Sequence, residues 1–383
     1  MLHNGVVRCW GYGYDGQLGY GNNANIGDNE IPLFAGSVNI DQPVIQLAAG
    51  ELHTCALLNN GAVQCWGRGS RGRLGYANTD NIGDTEPLTP AGHVDVGGTV
   101  IQLAAGGLHT CALLDNGAIR CWGSGEHGQL GYANTDDVGD DETPTAAGDV
   151  DLYETTTQLV AGGQHTCALF DRGAVRCWGN GSDARLGYAN TDVVGDNEIP
   201  ASAGDVDVGE PAVQLDAGFL HTCALLDNGA VRCWGNGSSG QLGYANTDTI
   251  GDNETPASTG DVDVGGTVIQ LAAGAYHTCA VLDNGAVRCW GYGYYGQLGY
   301  ANNDDIGDDE APVSAGDVDV GGAVRQLAAG DFHTCALFKN HAVRCWGSGS
   351  NGQLGYANND DIGNDETPAS AGDVIVSELA PPN

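Results

Sequence analysis

The chain has 383 residues, of which 63 are glycine, and it carries 13 basic against 49 acidic residues, a formal net charge of −36 at pH 7. A field of this sign repels phosphate groups, so we expect no binding to nucleic acid, and it favours cations or basic proteins as partners. No apolar run approaches the roughly 20 residues that span a bilayer, so we expect no direct membrane insertion. The first residues also lack the charged and then apolar pattern of an export signal.

Tryptophan recurs at a fixed interval of 56 residues, at Trp10, Trp66, Trp122, Trp178, Trp234, Trp290 and Trp346. An interval held without insertion is typical of repeat proteins, in which each unit buries its apolar face against its neighbours. We expect one domain over 1–383, with a partial repeat at 1–43 and full repeats at about 44–99, 100–155, 156–211, 212–267, 268–323 and 324–379.

The repeat at 100–155 illustrates the expected elements in chain order. Residues 100–106 and 109–114 read as two strands, 118–123 as a third, and 149–152 as a short fourth. Four strands with glycine-rich turns and no helical periodicity predict an all-β fold of the propeller type. We expect seven blades, one of them incomplete or completed by the N- and C-terminal segments.

The short loop at 115–117 fixes the register of the second and third strands. It places Cys111 opposite Cys121 at a non-hydrogen-bonded site, where the Cα atoms lie about 4.5 Å apart, within the disulfide range. The same register predicts the pairs Cys55–Cys65, Cys167–Cys177, Cys223–Cys233, Cys279–Cys289 and Cys335–Cys345. Reduced core thiols are one alternative, and zinc sites are a weaker one because each hairpin offers only two ligands.

Disulfides indicate an oxidising compartment, so we expect an extracellular, periplasmic or cell-surface protein. Cys9 is the thirteenth cysteine, and we expect it to be a free thiol because its partner strand would precede Met1. Two explanations stay open, a ring that closes with a two-stranded blade and a piece of a longer parent. We expect a monomer or a fragment of a longer repeat protein.

Several residues recur in each unit and form a recognisable pattern. In the repeat at 100–155 they are Gly106, His109, Thr110, Ala112, Leu113, Trp122, Gly123, Gly128, Gln129, Leu130 and Gly131. The pattern resembles the repeat of the regulator of chromosome condensation family, in a bacterial-type variant with paired cysteines and a long acidic loop. The resemblance implies a seven-bladed β-propeller over the whole chain. Family members include a nuclear exchange factor, secreted bacterial β-lactamase inhibitors and extracellular proteins, and no exchange-factor residue carries over to this chain.

Two segments vary between otherwise similar repeats, and both are expected on one rim of the propeller. They follow the first and third strands, and they include Glu51, Leu52, Arg68, Arg71, Leu108, His127, Phe219, Leu220, Tyr276, Tyr294, Tyr295 and Phe332. Their aromatic and arginine content is typical of binding hot spots. We therefore expect a non-enzymatic scaffold that binds a protein partner, with neutral drift of exposed loops as the alternative.

The acidic loop after the third strand is a second candidate site. Its recurring oxygen ligands suit Ca²⁺ and are represented by Asn134, Asp136, Asp140 and Glu142 and by Asn302, Asp304, Asp308 and Glu310. The alternative is that these side chains cap turns. A calcium-stabilised adhesive protein is therefore one alternative function, and a lyase or hydrolase with a site in the central channel is another.

One histidine per full repeat, such as His109, shares a strand face with its cysteine. We expect these histidines to bond to neighbouring backbone rather than to act as ligands or bases. Arg120 and Arg176 are expected to pair with acidic loops, and Asp216 is expected to line the central channel. We expect no catalytic residues.

Overall fold

A computed structural model describes residues 5–377 of the chain. The structure is all-β and contains six three-stranded antiparallel sheets, one for each full repeat. The first strands of the sheets are β1 (Val44–Ala49), β4 (Val100–Ala105), β7 (Thr156–Ala161), β10 (Ala212–Ala217), β13 (Val268–Ala273) and β16 (Val324–Ala329).

The second strands carry the histidine, threonine and cysteine of each repeat. They are β2 (His53–Leu58), β5 (His109–Leu114), β8 (His165–Phe170), β11 (His221–Leu226), β14 (His277–Leu282) and β17 (His333–Phe338). The third strands end at the glycine after the tryptophan. They are β3 (Val63–Gly67), β6 (Ile119–Gly123), β9 (Val175–Gly179), β12 (Val231–Gly235), β15 (Val287–Gly291) and β18 (Val343–Gly347).

Single helical turns lie before or after the acidic loops. The α-helical turns are α1 (Pro144–Ala147), α2 (Pro256–Thr259), α3 (Pro312–Ala315) and α4 (Pro368–Ala371), and short 3-10 turns lie at Ser70–Gly72, Thr89–Ala91, Ser182–Ala184 and Pro200–Ala203. Where the turn begins with proline, the fixed φ of that residue suits the first helical position.

The predicted register of the hairpin is confirmed. Cys111 lies opposite Cys121, and Leu113 lies opposite Ile119. The hairpin loop needs a left-handed residue, and Gly117 supplies it with φ of 86°. His341 occupies the same position in the last repeat with φ of 69°, a conformation that is strained for a residue with a Cβ.

The prediction of a fourth strand at 149–152 was wrong. This segment makes a single backbone bond to the third strand, from Val150 N to Ile119 O at 2.9 Å, and forms no ladder. Gly148, with φ of 87°, turns the chain onto the sheet edge just before that bond. After it the segment leaves the edge and runs to the next repeat.

Disulfides close all six predicted cysteine pairs, with Cα–Cα distances between 4.0 and 4.1 Å. Cys9 is a free cysteine. The pairs bridge the second and third strands of each sheet, so they brace every hairpin from within. In the chain-entropy model each small loop contributes about 2–3 kcal/mol.

Four tryptophans bond through their indole N–H to the backbone of the preceding repeat in the ring, namely Trp10, Trp66, Trp178 and Trp234. Trp66, Trp178 and Trp234 are fully buried, and the indole of Trp66 donates to Gln17 O of the preceding repeat at 2.9 Å. The first and last repeats meet in the same way, since Trp10 Nε1 donates to Gln353 O at 3.0 Å. The repeats therefore form a ring in which the end of the described chain adjoins its beginning.

The segment at 5–43 makes isolated bridges, Val7 with Val38 and Gly11 with Ile26, and no regular strand. Its bridges correspond to the outer part of a blade. The observed ring therefore consists of six three-stranded sheets and one sector in which only this outer part is present among residues 5–377. The count of seven blades stays a prediction.

Candidate binding rim

The two variable segments of each repeat lie side by side. Backbone bonds join them directly, from Arg68 N to Leu52 O at 2.9 Å and from Tyr292 N to Tyr276 O at 2.9 Å. The turn between the first two strands and the loop after the third strand therefore emerge on one side of every sheet. We call this surface the variable rim.

Aromatic side chains from consecutive repeats meet on the variable rim. The ring centroids of Phe219 and Tyr276 lie 6.3 Å apart, and those of Tyr276 and Phe332 lie 5.7 Å apart. Tyr295 lies 5.4 Å from Phe332 and 5.1 Å from Tyr294, both in edge-on arrangements. These separations lie within the range that aromatic pairs favour. The set Phe219, Tyr276, Tyr292, Tyr294, Tyr295 and Phe332 is called the aromatic cluster below.

Tyr292 belongs to the aromatic cluster but was missing from the predicted rim residues. Its ring stacks on Tyr294 at 6.2 Å and meets Phe332 edge-on at 6.4 Å. The signal was present in the sequence, because Tyr292 directly follows the Trp-Gly pair at a position that varies between repeats. Tyr294 is 57 % exposed, so the cluster offers an apolar surface to solvent.

Other predicted rim residues lie outside the aromatic cluster. Arg71 pairs with Glu126 at 3.0 Å and with Asp137 at 3.5 Å, so its charge is engaged by the neighbouring repeat. Charged Glu51 and Arg68 are exposed. The remaining predicted residues are half-buried and are Leu52, Leu108, His127 and Leu220.

In the acidic loop, Asn134 stabilises a turn of the backbone. Its Oδ1 accepts the backbone N–H of Asp136 at 2.9 Å, which caps the turn. Asp140, Asp141 and Glu142 offer carboxylate oxygens within 4.8 Å of one another, and Asp308, Asp309 and Glu310 do the same. The structure thus groups two predicted ligands of each loop with an acid that the sequence reasoning omitted. Asp136 and Asp304 lie outside these groups.

The acidic groups raise the pKa of their glutamates. Burial, a hydrogen bond with Asp141 and the charge of Asp140 raise the pKa of Glu142 to about 7. Burial, Asp309 and Asp308 do the same for Glu310, whose pKa also rises to about 7. Ca²⁺ takes six to eight oxygens, so three carboxylates fit part of its shell and the backbone or water would supply the rest.

Five histidines link consecutive repeats. His109 Nε2 lies 2.8 Å from Thr166 Oγ1, and His277 Nε2 lies 2.8 Å from Thr334 Oγ1. The predicted partner was the neighbouring backbone, and the observed partner is a threonine hydroxyl of the next repeat. Burial lowers the pKa of His109 to about 4. A neutral, buried imidazole in a fixed hydrogen bond is a structural group, as expected.

Asp216 also bridges two repeats. Its carboxylate accepts the backbone N–H groups of Ala217 at 3.0 Å and of Ala273 in the next repeat at 3.1 Å. Burial raises the pKa of Asp216 to about 7. The predicted ion pairs are present as well, from Arg120 to Asp149 at 2.9 Å and from Arg176 to Asp205 at 2.7 Å.

Among residues 5–377, no helix has the length and apolar character to cross a membrane. The six disulfides fit an oxidising environment.

Comparison with known proteins agrees with the repeat pattern. A family model described as "RCC1-like domain" matches residues 92–380, and models described as "Regulator of chromosome condensation (RCC1) repeat" match 4–57, 60–113 and 44–73. The ultraviolet-B receptor UVR8 of Arabidopsis thaliana is 30% identical over 360 residues, which cover 93% of this chain and 76% of the receptor. The E3 ubiquitin-protein ligase HERC2 of Homo sapiens is 29% identical over 236 residues, which cover 62% of this chain and 5% of the ligase.

Solved structures share the architecture. Human WBSCR16 superposes with a TM-score of 0.74 at 21% identity, covering 94% of this chain and 93% of that one. Prp20p of Saccharomyces cerevisiae superposes with a TM-score of 0.72 at 23% identity, covering 94% and 85%. At these identities the likeness concerns the fold. The sequence matches over most of the chain add the family, and the chain therefore belongs to the regulator of chromosome condensation (RCC1) repeat family.

Proposed function

We propose that the protein is a non-enzymatic scaffold that binds another protein through its variable rim. The aromatic cluster is the observation that carries this proposal. Its six aromatic rings form one continuous surface, and Tyr294 within it is 57 % exposed. Rigid aromatic side chains supply contact area at a low cost in conformational entropy, which is why they dominate binding hot spots.

The partner is proposed to be basic. The chain carries a net charge of −36, and Asp331 directly precedes Phe332 of the aromatic cluster. Asp305 Oδ1 accepts the backbone N–H of Gly293, between Tyr292 and Tyr294, at 2.8 Å. Lysine and arginine side chains bind both to carboxylates and to the faces of aromatic rings. A basic segment with apolar neighbours would therefore satisfy the acidic surroundings and the ring surface together, and the same charge disfavours nucleic acid.

We place this activity outside the cell, in the periplasm or at the cell surface. Support comes from the six disulfides, which persist in oxidising compartments. Binding of proteins is known for the fold, because Prp20p has described binding properties to Gsp1p and histones.

A second candidate function is a calcium-stabilised adhesive protein. It is supported by the two groups of carboxylates at Asp140–Glu142 and Asp308–Glu310, whose oxygens lie within 4.8 Å of one another. Burial and the neighbouring aspartates raise the pKa values of Glu142 and Glu310, and bound Ca²⁺ would relieve the repulsion among these carboxylates.

The experiment that tests the scaffold compares protein capture by the wild type and by a rim variant. Tagged wild type and the double variant Tyr294→Ser, Tyr295→Ser are incubated with native extract, and captured proteins are quantified by mass spectrometry. We expect a basic protein to be retained by the wild type, to be lost at least tenfold in the variant, and to elute as salt rises. Tyr153→Ser is the matched control, since Tyr153 is 78 % exposed and lies beside the hairpin loops at the opposite end of the sheets.

Equal capture by the wild type and the rim variant would contradict the proposed surface. Thermal unfolding of both variants is measured alongside, because Tyr295 is half-buried and the comparison requires a rim variant that keeps the melting temperature of the wild type. A loss of binding is then a loss of contact and not of folding.

A further inference from the structure

Arg73 is a buried cation that forms no ion pair among residues 5–377. It is 3 % exposed, and its Nε and Nη2 atoms donate to the carbonyl oxygen of Ser70 at 3.0 Å and to the Ser70 hydroxyl at 3.1 Å. Its Nη1 atom is buried and has no hydrogen-bond partner in the described chain. A buried guanidinium is normally paired with an acid, because an unpaired charge is costly to remove from water. Arg73 therefore keeps unused capacity to bind an anion.

The equivalent arginine two repeats later shows where an acid binds to such a side chain. Arg185 is as deeply buried as Arg73, and it donates in the same way to the carbonyl oxygen and the hydroxyl of Ser182. In addition, its Nη2 atom donates to Asp183 Oδ2 at 2.7 Å. The other carboxylate oxygen, Asp183 Oδ1, accepts Nδ2 of Asn236 from the next repeat at 3.1 Å. One carboxylate thus bridges a buried guanidinium and a polar side chain of the neighbouring repeat.

In the repeat at 44–99 the position of Asp183 is occupied by Arg71. The two residues are placed alike, because each lies inside a 3-10 turn with a left-handed backbone, at φ of 64° for Arg71 and 57° for Asp183. Arg71 pairs with two acids of the next repeat, Glu126 at 3.0 Å and Asp137 at 3.5 Å. A second cation cannot balance the charge of Arg73, so this repeat lacks the internal carboxylate of the later one.

The position of Asn236 is also changed at the first site, where Ser124 replaces it. The backbone N–H of Ser124 donates to Leu108 O at 2.9 Å, as that of Asn236 donates to Leu220 O at 3.0 Å, so the two residues are placed alike. Ser124 is fully buried, and its hydroxyl has no hydrogen-bond partner among the described residues. Buried hydroxyl groups are normally bonded, and a serine is shorter than an asparagine. The site at Arg73 therefore combines an unpaired cation, an unpaired hydroxyl and a smaller side chain.

We propose that Arg73 and Ser124 form a binding site for a carboxylate group, at the position that Asp183 fills in the later repeat. One carboxylate oxygen accepts Nη2 of Arg73 and the other accepts the hydroxyl of Ser124, as the two oxygens of Asp183 accept their own donors. Hydrogen bonds between ionised groups are the stronger ones in proteins. The side chain of Asp183 is 37 % exposed, so an anion from solvent can reach the equivalent position. We call this position the carboxylate site.

The charges around the carboxylate site favour an anion of low charge. Three of the 13 basic residues of the chain lie within residues 68–73, so this segment departs from the acidic character of the rest. Burial and the charge of Arg68 lower the pKa of Arg73, whereas the charges of Glu51 and Asp15 act in the opposite direction. These two acids form no ion pair with Arg73 in the described chain, but they repel anions nearby. A singly charged carboxylate is therefore favoured over phosphate.

The test follows the Nε–Hε resonance of Arg73 in the full chain by nuclear magnetic resonance, while sodium acetate replaces sodium chloride at constant ionic strength. We expect a saturable shift of this resonance with acetate and weaker binding of inorganic phosphate. Arg73→Gln identifies the resonance and is expected to abolish acetate binding at this site. Glutamine stands at the same position in other repeats, as Gln129, Gln241 and Gln297, so this variant is expected to fold.

Further variants connect the response to the proposed geometry. Arg71→Asp supplies an internal carboxylate like that of Asp183, so we expect the affinity for acetate to fall by about tenfold or more, whereas Arg71→Ser keeps it. Ser124→Ala removes one of the two donors and should weaken acetate binding by about threefold or more. Asp183→Ser should create a second acetate site, which is detected as a saturable shift of the Arg185 resonance.

A blocked Gly-Asp-Gly tripeptide and its Gly-Asn-Gly counterpart distinguish the two sources of a carboxylate. Binding of the aspartate peptide at least as tight as that of acetate assigns the site to an acidic side chain of a partner, and binding of acetate alone assigns it to a small free acid. Equal binding of both peptides, equal acetate affinity of the wild type and Arg71→Asp, tighter binding of phosphate, or no saturable shift at Arg73 overturns the proposal. Because the aromatic cluster is unaltered, this result is independent of the scaffold proposed above.

Discussion

The imidazole Nε2 of His277 lies 2.8 Å from the hydroxyl oxygen of Thr334, which belongs to the following repeat. Both side chains are fully buried, and the same threonine hydroxyl donates to Gln297 O at 3.0 Å. Three segments from two repeats thus meet at one hydroxyl. The neutral imidazole is favoured, because burial penalises an imidazolium charge.

The buried histidines make the fold sensitive to acid. Burial lowers the pKa of His277 to about 3 and that of His221 to about 4, against about 6.5 in an unfolded chain. The unfolded state therefore binds more protons between these values, and the stability that the neutral imidazoles contribute is lost as pH falls below 6.5. Each histidine lowers the free energy of unfolding by up to about 1.4 kcal/mol per pH unit in that window.

Urea unfolding at several pH values between 7 and 4.5 measures this loss. Replacement of His93 by Asn is the control, because His93 is an exposed histidine that lies 3.5 Å from Asp41. A free energy of unfolding that stays constant from pH 7 to 5 would show that the buried imidazoles tolerate protonation.

Removal of one disulfide should destabilise a single repeat. In the double variant Cys111→Ser, Cys121→Ser we expect the free energy of unfolding to fall by about 2–3 kcal/mol, since the loop between the two strands gains entropy when unfolded. Chemical denaturation of the oxidised proteins measures the difference. Thiol titration of unfolded, unreduced wild type should find one reactive thiol, Cys9, and a result of thirteen would refute the disulfides.

Arg176 should contribute more to the free energy of unfolding than the equivalent arginines of other repeats. Its side chain is 6% exposed, pairs with Glu154 at 3.0 Å and Asp205 at 2.7 Å, and stacks over Phe170 at 4.9 Å. Arg172 also pairs with both carboxylates at 2.6 Å, so Arg176→Met removes one of two shared cations, together with the buried hydrogen bonds from Arg176 to Leu152 O and Gly204 O. We expect a loss of about 2 kcal/mol. Arg288→Met is the matched control with about 1 kcal/mol, because its partner is a half-exposed aspartate. Equal losses in denaturant unfolding would contradict the special role of the network.

Three glutamates of the acidic loops should make the free energy of unfolding fall as pH rises from about 4.5 to 7. The pKa values of Glu142, Glu310 and Glu366 are raised to about 7, above the value of about 4.5 for an unfolded glutamate. Their contribution is therefore complete below pH 4.5 and is lost as pH rises through 7. We expect the wild type to lose more stability between pH 5 and 7.5 than the triple Glu→Gln variant at these positions. Parallel profiles would count against the raised pKa values.

The effect of added Ca²⁺ on the melting temperature is a second test of these carboxylates. If Ca²⁺ binds the carboxylates at Asp140–Glu142, millimolar Ca²⁺ at pH 8 raises the melting temperature of the wild type, and chelator reverses the change. The triple Glu→Gln variant should respond less. Mg²⁺ controls for general screening, and a melting temperature that ignores both Ca²⁺ and chelator would remove the calcium-stabilised candidate.

The hairpins could be predicted because their determinants are local. A three-residue loop with a left-handed glycine fixes which residues of the two strands face each other, so Cys111 and Cys121 could be paired from the sequence. The fourth strand failed for the opposite reason. Val150 alternates with acids like a strand residue, yet only one backbone bond holds it, and that depends on the path of the loop.

The contacts between repeats were less accessible to sequence reasoning. The threonine that receives His109 lies 57 residues away, so the pair becomes visible only when consecutive repeats are stacked. The same holds for Tyr292 and Phe332, whose contact joins different segments of neighbouring repeats. The 56-residue period shows which positions in the repeats are equivalent. Which of these residues are in contact depends on how the repeats pack in the ring.

The sector that residues 5–43 fill only with the outer part of a blade also determines where unfolding of the ring should begin. In a ring of identical repeats every repeat is packed between two neighbours, so unfolding has no preferred starting point. In this ring the first sheet, from Val44, and the last, from Val324, each border a neighbour that is only partly built among residues 5–377. Their amide protons should exchange with deuterium ahead of those in the sheet at Thr156–Gly179, and loss of structure should advance from both borders toward that far side.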